Sequence, residues 1–486
     1  MRSLLGNSLT GVTRELAVAT RPVDTPLVFL HGMKGSHLTS LNGQRSWLTL
    51  SGLFDWPPLS DDDDRRSLSL PLTYSGTVQD RDNLVPDGLV KSVVELNTGI
   101  FGSVLDLFPF YGHIASVIST LDDLHNSGIG GRPASVFVYD WRRNLQEVSE
   151  QFHQYCCERY PGQPVQVLSH SLGGLVSFAA MRAHPHKYRP GGVMVGVPFG
   201  TGIQYLQDVN TGYFSETQRC RQFLPDAQCT FSSHWVFFPP PDRVESSFVD
   251  VSNVRFSDTG RNGFRFVPSH PSLGGEQDPV CAPYDADSII QYGGKPITID
   301  FYDVTDWERH QLGIFGMKDR MGNTTVNNEN IGSTRNGKQT TVSEDPFDEY
   351  RQHMRTQLDL AAQFRQTVLR KQEIGDDIPP LVVCASNTIP TVNQILRRRR
   401  KRTQECIMNK NRDGSRTDRY DCGYEYDYVS GRRVPGDGRL YFTGSFPPCD
   451  HVPVQIQAPH AKQFLLENAG GDLETILRLV EEQALS

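Results

Sequence analysis

Apolar runs of strand length recur along the chain, each closed by a turn and followed by polar sequence with helical spacing. The segments 26–30 (PLVFL), 135–139 (SVFVY), 164–168 (PVQVL) and 191–197 (GGVMVGV) read as buried strands. Between them, Val148, Phe152 and Tyr155 share a helical face within 144–160, and 172–183 reads as a second helix. Strands alternating with helices predict a mostly parallel sheet with right-handed crossovers. The periodicity lapses from 198 to about 346, where Gly, Pro, Asn and Ser dominate. It resumes with a helix over 348–372 whose apolar face carries Met354, Leu358, Ala361, Phe364 and Val368. Strands at 381–384 and 452–456 and a last helix over 462–485 complete the expected elements.

This pattern predicts one α/β core interrupted by an insertion. Residues 1–25 form an N-terminal extension, 26–198 the first part of the core, 199–346 a cap or lid, and 347–486 the second part. A chain of 486 residues is long enough for such a core with a substantial insertion.

The strand at 164–168 runs directly into Ser169-His170-Ser171-Leu172-Gly173-Gly174, and a helix follows at once. A strand–turn–helix of this kind is the setting of a nucleophile elbow, which lifts a serine above the carboxyl ends of the strands. The turn demands small residues two before and two after the nucleophile, and Ser169 and Gly173 occupy those places. Ser171 is therefore the candidate nucleophile. Acyl transfer needs N–H donors for the oxyanion. Leu172, just after the serine, supplies one candidate, and Met33 in the 31–35 loop (HGMKG) supplies the other. In an α/β-hydrolase fold the acid and base follow in that order. His460, after the last strand, is the expected base, with His451 as competitor. Asp437, in a glycine-bounded loop, is the expected acid, with Asp427 and Asp421 as alternatives.

These segments resemble the lecithin:cholesterol acyltransferase family, which includes lysosomal phospholipase A2 and phospholipid:diacylglycerol acyltransferases. The stretch 26–38 resembles its P-V-x-x-V-P-G-x-x-G-S-x-L opening, with His31 in place of the second proline. Ser46-Trp47-Leu48 resembles its tryptophan–leucine segment, and Tyr139-Asp140-Trp141-Arg142 matches its Y-D-W-R signature. Gly196 to Gly200 resembles its G-x-P-[WF]-G turn, and Asp437 and His460 fall where it has acid and base. The likeness is weak across the cap. The family's cysteine pair near the tryptophan segment is missing, because no Cys precedes Cys156.

The resemblance implies an α/β-hydrolase fold with a large cap. It also implies a serine acyl hydrolase or O-acyltransferase acting on phospholipid or neutral-lipid esters, at a membrane or lipoprotein-like surface. No cofactor or metal is implied. Trp141, Trp47, Phe54 and Trp56 become candidate substrate contacts, and 235–238 (WVFF) a second apolar cluster that either anchors at an interface or packs in the core. A serine esterase on a soluble ester and a non-catalytic protein of the same fold are the alternatives.

Composition narrows the field only modestly. A formal net charge of −8 gives no general reason to expect a nucleic-acid partner. No apolar run is long enough for a transmembrane helix, and the first residues lack a continuous apolar signal core. The acidic run 61–64 and the basic run 397–402 (RRRRKR) are expected as solvated loops. Nine cysteines leave at least one unpaired in a monomer, and Cys220 and Cys229 could close a short loop.

Overall fold

The computed structural model describes residues 24–47, 67–77, 80, 82–90, 111–200, 202–212, 221–239, 248–250, 256–257, 265–266, 294–317, 345, 347–399, 424–428, 431–467 and 470–485. Its centre is a six-stranded sheet. The strands are β1 (Leu27–Leu30), β2 (Ala134–Phe137), β3 (Gln166–His170), β4 (Gly192–Val195), β5 (Leu381–Ser386) and β6 (Val452–Ile456). They lie in the order β6-β5-β4-β3-β1-β2, and every neighbouring pair is parallel. The expected α/β class with a mostly parallel sheet is therefore present.

Side chains alternate across β1. Leu27 and Phe29 belong to one apolar cluster with Ile114, Val117 and Leu121 of α1 (Gly112–Asn126) and Ile476 and Val480 of α5 (Leu473–Leu485). Val28 and Leu30 belong to the cluster on the other face, with Val148 and Phe152 of α2 (Leu145–Arg159), Leu175 and Phe178 of α3 (Leu172–Ala183) and Leu358 of α4 (Asp348–Thr367). Helices on both faces explain why the strands read as continuous apolar runs rather than alternating ones. Each such buried side chain stabilises the fold by about 1.5–3 kcal/mol.

The helices begin and end for local reasons. Asn144 caps α2, its side-chain oxygen accepting the N–H groups of Gln146 and Glu147. The last helix is shorter than expected. His460–Lys462 forms a single 3-10 turn, and α5 starts only at Leu473, because Gly470 takes a left-handed φ of +77° that a continuous helix cannot accommodate. One helix is absent from the expected set. Yet α1 carries Ile114, Val117, Ile118 and Leu121 at helical spacing, and all four are buried.

The basic run departs from expectation where it is described. Arg397 to Arg399 end the strand Ile395–Arg399, which pairs with Tyr424–Asp427. Arg397 is buried, its guanidinium 2.9 Å from Asp250 Oδ2 and 2.6 Å from His310 Nδ1. A paired, buried cation is not a solvated loop. Residues 400–402 lie outside the described residues, as does the acidic run 61–64.

Much of the expected cap also lies outside the described residues. The described stretches 202–212, 221–239 and 297–317 contribute side chains to the same apolar cluster as the core helices. Trp235 meets Trp307 edge-on at 5.0 Å and Phe238 stacks on Phe301 at 4.9 Å, within the apolar cluster that contains α2, α3 and α4. Trp235 and Phe238 are thus core residues, not an interfacial anchor. Cys229 is a buried free thiol whose sulfur accepts the Ile314 N–H, and Cys220 lies outside the described residues.

Candidate active site

The chain leaves β1 for β2 on one side and then returns to β3 on the other, so the winding direction reverses between β1 and β3. The crevice outside the carboxyl ends of strands at such a reversal is where open α/β sheets bind ligands. The 31–35 loop after β1 and Ser171 after β3 meet at this point.

Ser171 sits between β3 and α3 with φ 51° and ψ −123°. A serine with positive φ is strained, and the surrounding packing holds it there. A Cβ on Gly173 would collide with the His31 carbonyl, and one on Gly174 with the Val197 side chain. The two glycines therefore let α3 start directly beneath the 31–35 loop. Ser171 also precedes the first turn of α3, whose N-terminal N–H groups favour developing negative charge.

The structure brings Ser171, His460 and Asp437 together. His460 Nε2 lies 3.0 Å from Ser171 Oγ, and His460 Nδ1 lies 2.7 Å from Asp437 Oδ2. Asp437 is buried, and its Oδ1 accepts the N–H groups of Arg439 at 2.9 Å and Leu440 at 2.7 Å. The acid is aimed by a ribbon, Ile389–Val392 paired with Arg433–Gly436, and by Thr391 Oγ1, which accepts the Gly438 N–H. The Asp437 carbonyl in turn accepts the His460 N–H at 3.0 Å, so acid and base are joined through backbone as well as side chain. Gly196 makes room for this turn. It has φ +56°, and a Cβ there would strike the Gln463 amide and stand 3.1 Å from His460 Nδ1.

The competing residues lie elsewhere. The His451 ring stacks on Phe446, and its Nδ1 donates to the Cys449 carbonyl at 2.7 Å. Asp427 is buried in the strand Tyr424–Asp427, opposite Leu396. Asp421 lies outside the described residues.

Among the described residues, no protein acceptor takes the N–H of Leu172 or of Met33. A Cβ on Gly32 would stand 2.9 Å from Ser171 Cβ, so the peptide that carries the Met33 N–H follows a residue in contact with the serine. The loop is held from several sides. The Tyr139 hydroxyl donates to the His31 carbonyl at 2.6 Å, and His31 Nδ1 donates to the Gly32 carbonyl at 2.8 Å. The His31 ring stacks on Tyr139 at 4.3 Å, and burial lowers its pKa from 6.5 to about 4, so it is neutral near pH 7.

Trp47 and Trp141 belong to this support and not to a substrate wall. Both are fully buried and meet edge-on at 5.9 Å. Their indole N–H groups donate to the carbonyls of Lys34 and Ser36, each at 3.2 Å. An indole enclosed by aromatic neighbours, with its polar edge on backbone, is a clamp. Phe54 and Trp56 lie outside the described residues. The rest of the 139–142 signature is structural too. Asp140 takes three bonds from Arg142, one from its backbone N–H and two from its guanidinium, and Arg142 also reaches Asp82 at 2.7 Å and the Leu68 carbonyl at 2.8 Å.

Two buried residues join the site without having been expected, Tyr111 and His170. The Tyr111 hydroxyl accepts the Gly32 N–H at 2.8 Å and lies 2.6 Å from His170 Nδ1. His170 was legible as the elbow position before the nucleophile, but nothing local marks Tyr111 as its partner.

No family model matches the chain. A curated protein described as "Glycosyltransferase alg8" from Azotobacter vinelandii is 28% identical over 127 residues, 26% of this chain and 25% of that protein. The match therefore spans about a quarter of that relative's length. Among solved structures, a chain of "The crystal structure of Tle4-Tli4 complex" is similar with a TM-score of 0.47 and 11% identity, covering 94% of this chain and 98% of that chain.

Proposed function

We propose that the chain is a serine-dependent acyl hydrolase or O-acyltransferase of the α/β-hydrolase fold, related to the lecithin:cholesterol acyltransferase family. One observation carries the chemistry: a strained Ser171 at a strand–helix turn, 3.0 Å from His460 Nε2, with His460 Nδ1 2.7 Å from buried Asp437. In the proposed reaction Ser171 Oγ attacks the ester carbonyl while its proton passes to His460 Nε2. Asp437 holds the imidazole with its Nδ1–H directed at the carboxylate and stabilises the imidazolium. The N–H groups of Leu172 and Met33 receive the oxyanion. Collapse of the intermediate expels the alcohol, which takes the proton from His460, and leaves an acyl-Ser171 ester. Water or a second alcohol then takes the acyl group by the reverse proton path.

The lipid substrate rests on the matched motifs at 26–38, 46–48, 139–142 and 169–173. Phospholipid vesicles containing an added long-chain alcohol test it, with products read by mass spectrometry. Free fatty acid with lysolipid marks a hydrolase, and an acyl ester of the added alcohol marks a transferase. Turnover of a short soluble ester with vesicles left intact would replace the lipid reading by a soluble esterase. No turnover of either would leave a non-catalytic protein of this fold.

A further inference from the structure

Tyr111 and His170 are 59 residues apart in sequence and both almost fully buried, yet they meet directly behind the nucleophile. The bonding at the Tyr111 hydroxyl favours one direction for its hydrogen. Gly32 N–H can only donate, so the oxygen accepts from it at 2.8 Å. His170 Nδ1, 2.6 Å away, is then the acceptor for the hydroxyl hydrogen among the described residues. Of the two neutral forms of His170, the one protonated on Nε2 is the one that gives the buried Tyr111 hydroxyl hydrogen an acceptor.

The other side of the ring faces His460, whose ring lies 4.9 Å away, and Phe464 at 5.2 Å. The Gln463 side chain and the His460 backbone both lie where they favour a proton on His170. His170 Nε2 and Gln463 Oε1 are buried with no hydrogen-bond partner within reach, one a donor and the other an acceptor. Gln463 Nε2 in turn donates to Asp437 Oδ2 at 3.3 Å. Burial first, then the neighbouring His460, hold His170 well below the ordinary imidazole range, so the ring is a neutral fixture.

The geometry points to Tyr111 and His170 as positioning residues, a hydrogen-bonded strut that sets the Gly32–Met33 peptide against Ser171 and, through the His170 ring packed 4.9 Å from that of His460, braces the base. Neither residue touches the reacting atoms. The strut acts through the two groups that do, the oxyanion loop and the base. Its catalytic consequence rests on the acyl-transfer reading, whereas its proton placement does not.

Two measurements test it. Tyr111→Phe keeps the ring contacts with Phe29 and Phe464 and removes only the hydroxyl. In a protein that turns over a short ester, kcat is expected to fall about 10²-fold, with KM and the melting temperature nearly unchanged. Nitrogen NMR of the full chain carrying Ser171→Ala should show His170 protonated on Nε2, with Nδ1 an acceptor, and adding Tyr111→Phe should convert it to a mixture of tautomers. A Tyr111→Phe kcat within twofold of wild type would overturn the strut, and so would a His170 protonated on Nδ1. If the wild type neither hydrolyses esters nor reacts with a fluorophosphonate, the acyl-transfer reading fails and the tautomer alone decides the strut.

Discussion

Gly32 and Ser171 approach so closely that a Cβ on the glycine would stand 2.9 Å from the serine's own Cβ and 3.0 Å from the Tyr111 hydroxyl. The 31–35 loop and Ser171 are thus set by a contact that tolerates no side chain. Gly32→Ala should push the loop away from Ser171 while leaving the sheet intact. Displacing an oxyanion donor costs about 10²–10³ in kcat, and a fall of that order with little change in KM is expected. Steady-state kinetics on a soluble ester checks it, and unchanged kcat would mean that the loop does not serve the reaction.

Asp437→Asn keeps an oxygen for the N–H groups of Arg439 and Leu440 and should leave folding intact. The amide cannot stabilise the imidazolium, so kcat should fall by about 10⁴. Asp427→Asn alters a buried position in a strand remote from His460, and should lower the melting temperature with little effect on kcat. A reversal of these two outcomes would move the acid.

Trp141→Phe retains an aromatic ring in the core and removes the bond to the Ser36 carbonyl. The clamp role predicts a lower melting temperature and an equal loss of kcat on short-chain and long-chain esters. A substrate-wall role predicts instead a changed preference for acyl length. Rates across a series of ester chain lengths separate the two.

Several histidines are held neutral inside the fold. Burial is the largest cause in each case, lowering His31 to about 4, His234 to about 3 and His310 to about 4. Their folded pKa lies below the unfolded value of about 6.5, so their contribution to stability is complete above that pH. Between about pH 6.5 and 4 the unfolded chain takes up protons that the folded chain does not, and stability falls. The slope is at most about 1.4 kcal/mol per pH unit for each such histidine. His234, whose ring nitrogens are both buried without a hydrogen bond, is the clearest test. His234→Phe should make the fall of melting temperature with acidification shallower, and an unchanged slope would exclude His234 from it.

The parallel sheet was legible because β1 and β3 to β5 are buried on both faces, which leaves uninterrupted apolar runs. Ser171, Asp437 and His460 were legible because each sits at a turn whose neighbours are constrained by sterics, as at Gly173 and Gly438. The function of Trp47 and Trp141 was not. A tryptophan that clamps a loop and one that lines a pocket have the same local sequence, and only the indole N–H partner distinguishes them. Tyr111 was hidden for a similar reason, since its bonds reach residues 79 and 59 positions away. Arg397 misled because a run of like charges usually means solvent, and Asp250, which pairs with it, lies 147 residues distant.

The nucleophile is the account's central claim, and covalent labelling tests it most directly. The full-length protein is treated with a fluorophosphonate and digested, and the adduct is located by mass spectrometry. The Ser171–His460–Asp437 arrangement predicts one modified residue, Ser171, in the wild type. It also predicts no adduct in Ser171→Ala, whose melting temperature should match the wild type. An adduct on another serine, equal labelling of the Ser171→Ala protein, or a wild type that takes no label would contradict it.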